Sequence, residues 1–325
     1  MGRRRLAVAA ACALLASLVA GCRAAAPTWT FPPAPTPSDE LQVVLASTSI
    51  WVGPATLLVS LEDAANQPIA LEGLELTARL VPVASAASDG APVAGTVFRP
   101  LALGRELVRF DTTVSAAGRW RLDVEAKGGG RPRHGSAELT ARDPGKVPAA
   151  GEPAPATTTP TAADVGGDLS RLTSDPIPHE QYYWLSVAAA LEAEQPFALV
   201  IDSFGFRESQ ACGGALGVMH VLADRFPLVS VIHVEPFVTR WSDGVLTLDP
   251  PDGPARLAPW SEAWGLAGEG FGPTSVPWVF VVGADGRVRA VFQGIVGTEE
   301  LATALGDVST WTPSGGAGIS PTAAP

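Results

Sequence analysis

Three cysteines define most of the chemistry on offer in this sequence: Cys12, Cys22 and Cys212. Cys12 and Cys22 belong to an N-terminal export signal described below. A mature chain therefore keeps Cys212 as a single free thiol and forms no internal disulfide. An unpaired thiol outside the cytoplasm stands out, because such compartments oxidise or modify thiols. The thiolate is the reactive form, and the positive end of a helix lowers its pKa. Apolar residues Ala215, Met219, Leu222 and Phe226 step by four, three and four, which predicts a helix beginning just after Cys212 and Gly213. Arg207, five residues upstream, would add positive charge, and Glu208 would oppose it. Dithiol exchange needs a second thiolate to expel the mixed disulfide, and none exists here. Two readings stay open: a monothiol that forms mixed disulfides with a protein or a low-molecular-weight thiol, or an inert thiol in a domain used for binding.

Other chemistries find less support. His220 lies eight residues after Cys212, beyond two helical turns, and His233 sits inside an apolar run. A metal set would need Cys212, His233 and Glu235, and no spacing supports it, so neither metal nor cofactor is expected. His134 and His179 fall in loops. Gly128-Gly129-Gly130 has no helix and no lysine after it in the phosphate-loop pattern, and no serine stands in a Gly-x-Ser-x-Gly frame. Trp260, Trp264 and Tyr182-Tyr183-Trp184 read as core aromatics. With 33 acidic against 22 basic residues and a formal net charge of −11, nucleic acid is excluded as a partner, since phosphate neutralisation needs basic patches.

The elements that must position Cys212 follow from the rest of the 325 residues, of which 46% are hydrophobic and 17% charged. Arg3, Arg4 and Arg5 precede an apolar run from Leu6 to Ala20, a secretory signal pattern. Leu18-Val19-Ala20-Gly21-Cys22 resembles the bacterial lipobox, which implies lipidation of Cys22 after removal of residues 1–21. Loss of the three arginines takes the net charge from −11 to −14. The acyl chains, at about 0.8 kcal/mol per buried methylene, would hold the protein on the extracytoplasmic face of the cell membrane. A proline-rich stalk covers 22–39. Short apolar runs with period-two alternation then fill 40–141, with turns at Gly53-Pro54, Asn66-Gln67-Pro68 and Ala117-Gly118, which predicts a β-sandwich. Its Phe110–Trp120 stretch resembles the last hairpin of secreted Ig-like domains. A second linker spans 142–168. From 169 to 308, buried strands at Phe197–Ile201, Leu228–Val234 and Trp278–Val282 alternate with helices, the last capped by Thr298, and 309–325 reads as a disordered tail.

This order of elements resembles the thioredoxin fold. Cys212-Gly213-Gly214-Ala215 is similar to the Cys-Gly-Pro-Cys signature at a helix N-terminus, and Ser275-Val276-Pro277-Trp278 resembles the cis-proline segment that faces it. Pro160–Val165, Leu172–Pro176, His233–Pro236 and Trp264–Leu266 further resemble a group of bacterial thioredoxin-domain lipoproteins that carry an Ig-like N-terminal domain. The resemblance implies a multidomain chain: an N-terminal all-β Ig-like sandwich followed by an α/β thioredoxin-like domain. It also implies a site around Cys212, with Pro277 opposite and Arg207, Gly213 and Val276 in support. The sequence departs from the pattern at the other cysteines: that group places one five residues before Cys212, where Arg207 stands, and ordinary thioredoxins place the resolving one three residues after it, where Ala215 stands. The expectation is a membrane-anchored, extracytoplasmic protein without a dithiol pair that binds a partner or assists folding, with a monothiol oxidoreductase acting through Cys212 as the alternative.

Overall fold

Period-two alternation builds the first half of the molecule. In the strand Gly118–Lys127, Trp120, Leu122, Val124 and Ala126 point inward while Arg121, Asp123 and Glu125 point outward. A slip of one residue would exchange the two faces, so burial sets the register. The computed structural model describes residues 40–47, 49–84, 90–101, 103–128, 130–206, 214–251, 253–267 and 276–310, all within one compact unit. Its first eight strands are β1 Gln42–Leu45, β2 Ile50–Trp51, β3 Gly53–Glu62, β4 Glu75–Pro82, β5 Val93–Phe98, β6 Leu107–Val114, β7 Gly118–Lys127 and β8 Arg133–Arg142. They follow the spatial order β1-β3-β6-β5-β4-β7-β8-β2 around a core that includes Leu57, Val59, Phe110 and Leu122. Strand β5 passes from one sheet to the other: Val93 and Ala94 pair with β4, and Gly95 to Phe98 pair with β6. A Cβ at Gly95 would lie 2.6 Å from the Phe110 ring, which is why the crossing residue is glycine. Trp120 is a core aromatic whose indole N–H donates to the Ala116 carbonyl at 3.0 Å.

The second half contains α1 Val187–Glu192, β9 Phe197–Ile201, α2 Gly214–Leu222, β10 Ser230–Val234, β11 Thr239–Ser242, β12 Val245–Leu248, α3 Pro259–Ala263, β13 Trp278–Val282, β14 Val288–Gln293 and α4 Thr298–Val308. Four of these strands form a mixed sheet in the order β10-β9-β13-β14, with β9 parallel to β10 and antiparallel to β13. Every residue of β9 and β13 is buried. Ala198, Val200, Val279 and Val281 pack on one face with α2 and α4. Phe197, Leu199, Ile201, Phe280 and Val282 pack on the other with Trp264. Ser186 caps α1 by accepting from the Ala189 N–H, as its sequence suggests. The final helix differs: Gly297 occupies the cap and Thr298 is its first residue. The stretch Arg142–Asp168 is fastened to this half. The Val288 N–H donates to the Glu152 carbonyl, and the Val187 N–H to Thr159 Oγ1.

The expected fold class is corrected here. The chain is mostly β, 38% strand and 18% helix, spread over several sheets, and no α/β thioredoxin-like domain is shown. Long helices covering both faces of a sheet define the α/β class. Here α1 has six residues, α2 nine, α3 five and α4 eleven. Between β10 and β13 the chain inserts the hairpin β11–β12, which pairs only with itself among the described residues. The apolar spacing around Met219 weighs toward helix in the sequence, whereas β2, β5, β8, β11 and β12 leave little trace there, because their residues form short runs or stay half-exposed.

Candidate functional site

The polar residues that follow β9 and β10 converge below the surface. Open sheets carry ligands beyond the carboxyl ends of parallel strands, because backbone direction and loop exit coincide there. Asp202 and Ser203 follow β9, Glu235 follows β10, and all three are at most 2% exposed. Asp202 Oδ1 accepts from the Ser203 N–H at 2.8 Å, and Oδ2 accepts from the Leu216 N–H at 3.1 Å. The second bond satisfies a free amide in the first turn of α2 and places a carboxylate at that helix's positive end.

Glu235 draws in the loop that precedes α1. Its Oε1 accepts from the Ser174 N–H at 2.6 Å, from Ser174 Oγ at 2.6 Å and from Thr173 Oγ1 at 3.4 Å. Its Oε2 is buried with no hydrogen-bond partner. Burial raises the Glu235 pKa, and the Ser174 bonds resist that rise. Ser174 Oγ also accepts from the Gly205 N–H at 2.8 Å and lies 3.2 Å from Ser203 Oγ. A Cβ on Gly205 would approach the Ser174 Cβ to 2.7 Å. Gly205→Ala should therefore cost about 1–3 kcal/mol by displacing Ser174 from Glu235; a urea unfolding midpoint unchanged from wild type would refute this reading of the contact.

His233 links β10 to the same cluster. Its Nε2 lies 3.1 Å from the Asp202 carbonyl oxygen, which can only accept, so Nε2 carries the proton. Nδ1 then accepts from the Tyr183 hydroxyl at 2.7 Å. Full burial lowers the His233 pKa from 6.5 to about 4, against the opposing bond to Asp202. The imidazole is thus neutral at pH 7, the hydrogen-bonded core histidine that its place in an apolar run suggests. Burial also raises the Tyr183 phenol.

A second group lies along α2. The rings of His179 and His220 stack 4.1 Å apart at an interplanar angle of 4°. Asp175 Oδ2 lies 3.4 Å from His220 Nε2. Tyr182 packs against both histidines, at 5.1 and 5.5 Å between ring centroids. Among the described residues no group of three or more His, Cys, Asp or Glu side chains could hold a metal.

Of the residues singled out from sequence, Cys22, Arg207, Cys212 and Gly213 lie outside the described residues. Val276 and Pro277 are buried, their peptide bond is cis, and the Gly294 N–H donates to the Pro277 carbonyl at 2.9 Å. Trp278 pairs with Ile201, so Pro277 enters the sheet beside the end of β9, where Asp202 begins the cluster. Trp264 is fully buried against Phe280, and Trp260 donates its indole N–H to the Glu235 carbonyl at 2.7 Å. Sequence reasoning missed Thr173, Ser174, Asp175, Asp202 and Ser203. Asp202 had a signal, a carboxylate ending a continuous apolar run; residues 173–175 stood out only within the Leu172–Pro176 resemblance, which gives them no role, and only the fold brings them to Glu235. On the sandwich, a surface groove of about 970 Å³ includes Arg79, Glu125, Lys127 and His134. Lys127 is paired with Glu125 at 2.7 Å, and Arg79 donates to the Gly90 carbonyl.

No family model matches the chain, and no curated protein matches it. Among solved structures it is similar to a DUF4426 family protein from Pseudomonas aeruginosa PAO1, at 10% identity and a TM-score of 0.20, covering 27% of this chain and 64% of that one. It is also similar to the Lin-41 filamin domain, at 20% identity and a TM-score of 0.20, covering 33% and 98%. The PKD domain of the human VPS10 domain-containing receptor SorCS2 matches at 15% identity and a TM-score of 0.19, covering 38% and 93%. The chain spans a little under two thirds of the first of these.

Proposed function

We propose that the protein is held by lipid on the extracytoplasmic face of a cell membrane and works there by binding a partner, not by dithiol exchange. The Leu18–Cys22 lipobox supports the anchor. The observation that carries the second part is at position 215. Three residues after Cys212, where a resolving thiol would stand one helical turn away, Ala215 is fully buried in the core. Cys12 and Cys22 are the other two cysteines, both within or at the end of the signal. A mixed disulfide formed at Cys212 therefore has no internal thiolate to release it. The buried groups beside the strand ends are already committed: Asp202 to α2, His233 to Tyr183, Glu235 Oε1 to Ser174. Around them the chain offers Ile177, Trp184 and Val221, exposed to 75%, 59% and 54%, as apolar contact surface.

A monothiol enzyme acting through Cys212 is the second reading, favoured by the place of that residue two positions before the first residue of α2, where a helix end would stabilise a thiolate. Mass spectrometry of the membrane-extracted protein, alkylated without reduction, separates the two. The binding reading expects an unmodified Cys212 that alkylates slowly. A mixed disulfide, persulfide or sulfenate on Cys212 would replace it with the monothiol reading.

A further inference from the structure

We propose that residues 176–181 form a proton-opened flap over His220: the segment lies against α2 while the His179 and His220 rings are neutral, and lifts from it when both are charged. The segment is pinned at its two ends. Thr173 and Asp175 are buried before it, Tyr182 and Tyr183 are buried after it, and the Tyr183 hydroxyl is bonded to His233. Of the six residues between, Pro178 and His179 are half-buried and the other four are exposed. His179 reaches α2, its ring stacked on that of His220 with centroids 4.1 Å apart and planes within 4°. Such a contact suits two neutral rings, or one neutral and one charged, and is opposed by charge repulsion when both carry a proton. The flap is thus held by a contact whose sign protons reverse.

Polar atoms beside the stack favour opening. Asp175 Oδ2, His220 Nε2 and the Tyr182 hydroxyl are buried without a hydrogen-bond partner, which costs free energy until water reaches them. The groups facing the pair let it take one proton and resist a second. Asp175, from the loop before the flap, holds Oδ2 3.4 Å from His220 Nε2. Tyr182, from the turn after it, packs on both rings. His233 on β10 stays neutral, and Asp224, just after α2, acts on the Tyr182 phenol. Burial and His179 oppose a charge on His220, and Asp175 favours it. A charged His220 therefore stays with Asp175, whose Oδ1 accepts from the Ile177 N–H at 2.9 Å. A second proton sets two like charges face to face, and His179, on the flap, is the ring that leaves. In the lifted state both rings are solvated and take up protons below about pH 6.5. The closed state is then intact above that pH and is lost as the pH falls toward the lowered value of His220. The inference goes beyond partner binding and does not depend on it, although Ile177, 75% exposed on the flap, would move with it.

Amide hydrogen exchange of the full chain, read by NMR between about pH 7.5 and 5 and corrected for intrinsic rates at each pH, tests the flap. The reporters are the Ile177 N–H, bonded to Asp175 Oδ1, and the Tyr182 N–H, bonded to the His179 carbonyl. Their protection should fall at least about threefold more than that of the β9 amides, which register the global loss that His233 causes in acid. His179→Phe keeps a stacking ring that takes no proton, so it should keep the global loss and remove the excess. Histidine ring NMR should show His179 and His220 titrating as a coupled pair, and His220 should take its proton at higher pH in His179→Phe. An equal fall at the reporters and at β9, an undiminished excess in His179→Phe, or a His220 titration unmoved by that variant would each overturn the proposal.

Discussion

Between pH 7 and pH 4 the protein is expected to lose about 3 kcal/mol of stability through His233 alone. The folded state holds this ring neutral, with its pKa lowered from 6.5 to about 4 by burial. A tenfold difference in proton affinity between folded and unfolded chain is worth about 1.36 kcal/mol. The unfolded chain takes up a proton below pH 6.5 while the folded chain does not, so stability is intact above 6.5 and falls as the pH drops toward 4. Glu235 acts with the opposite sign. Its raised pKa makes the folded state bind a proton more tightly than the unfolded one, so its contribution is present below about pH 4.5 and is lost as the pH rises through the folded value. Urea unfolding of the wild type and His233→Gln across pH 4–8 separates the two. The variant should lose most of the fall between pH 6.5 and 4, because a glutamine amide can replace the bonds to Tyr183 and Asp202 without titrating. An acid limb of equal depth in the variant would remove His233 as its source.

Trp264→Ala should cost about 3–5 kcal/mol, and this cost should be purely one of packing. Trp264 is completely buried, its ring centroid 4.6 Å from that of Phe280 in the middle strand β13. Its indole nitrogen has no hydrogen-bond partner, so truncation strands no other polar group and leaves only a cavity beneath the sheet. Trp264→Phe should then recover more than half of the loss, since most of the apolar volume returns. Calorimetry of the three proteins checks this. Loss within about 1 kcal/mol for the alanine variant would mean that the sheet closes over the cavity, and that Trp264 lines a surface and not the core.

The contrast between these two residues shows how far the sequence reaches. His233 stands in the run Leu228–Val234, and its burial follows from the strand around it; its partners Tyr183 and Asp202 are 50 and 31 residues away, beyond any local pattern. Glu235 and Asp202 are legible only as carboxylates ending apolar runs. That Ser174 gives Glu235 two hydrogen bonds depends on a loop 61 residues upstream. In the sequence His179 and His220 stand isolated, one in a loop and one in a helix, and only the fold brings His179 and Tyr182 against the His220 ring.

By itself the sequence determined the strand faces of the first half, the buried strands β9 and β13, and the turn at Asp285-Gly286 where glycine takes a φ of 70°. These are local properties: side-chain period, turn chemistry and composition act over a few residues. Tertiary structure alone decided that the chain is mostly β, that β5 crosses between sheets at Gly95, and that Thr173, Ser174 and Asp175 join Asp202, His220 and Glu235. Such contacts are stabilised by desolvation and hydrogen bonding between segments distant in the chain, and no local pattern records which distant polar group a buried carboxylate will meet.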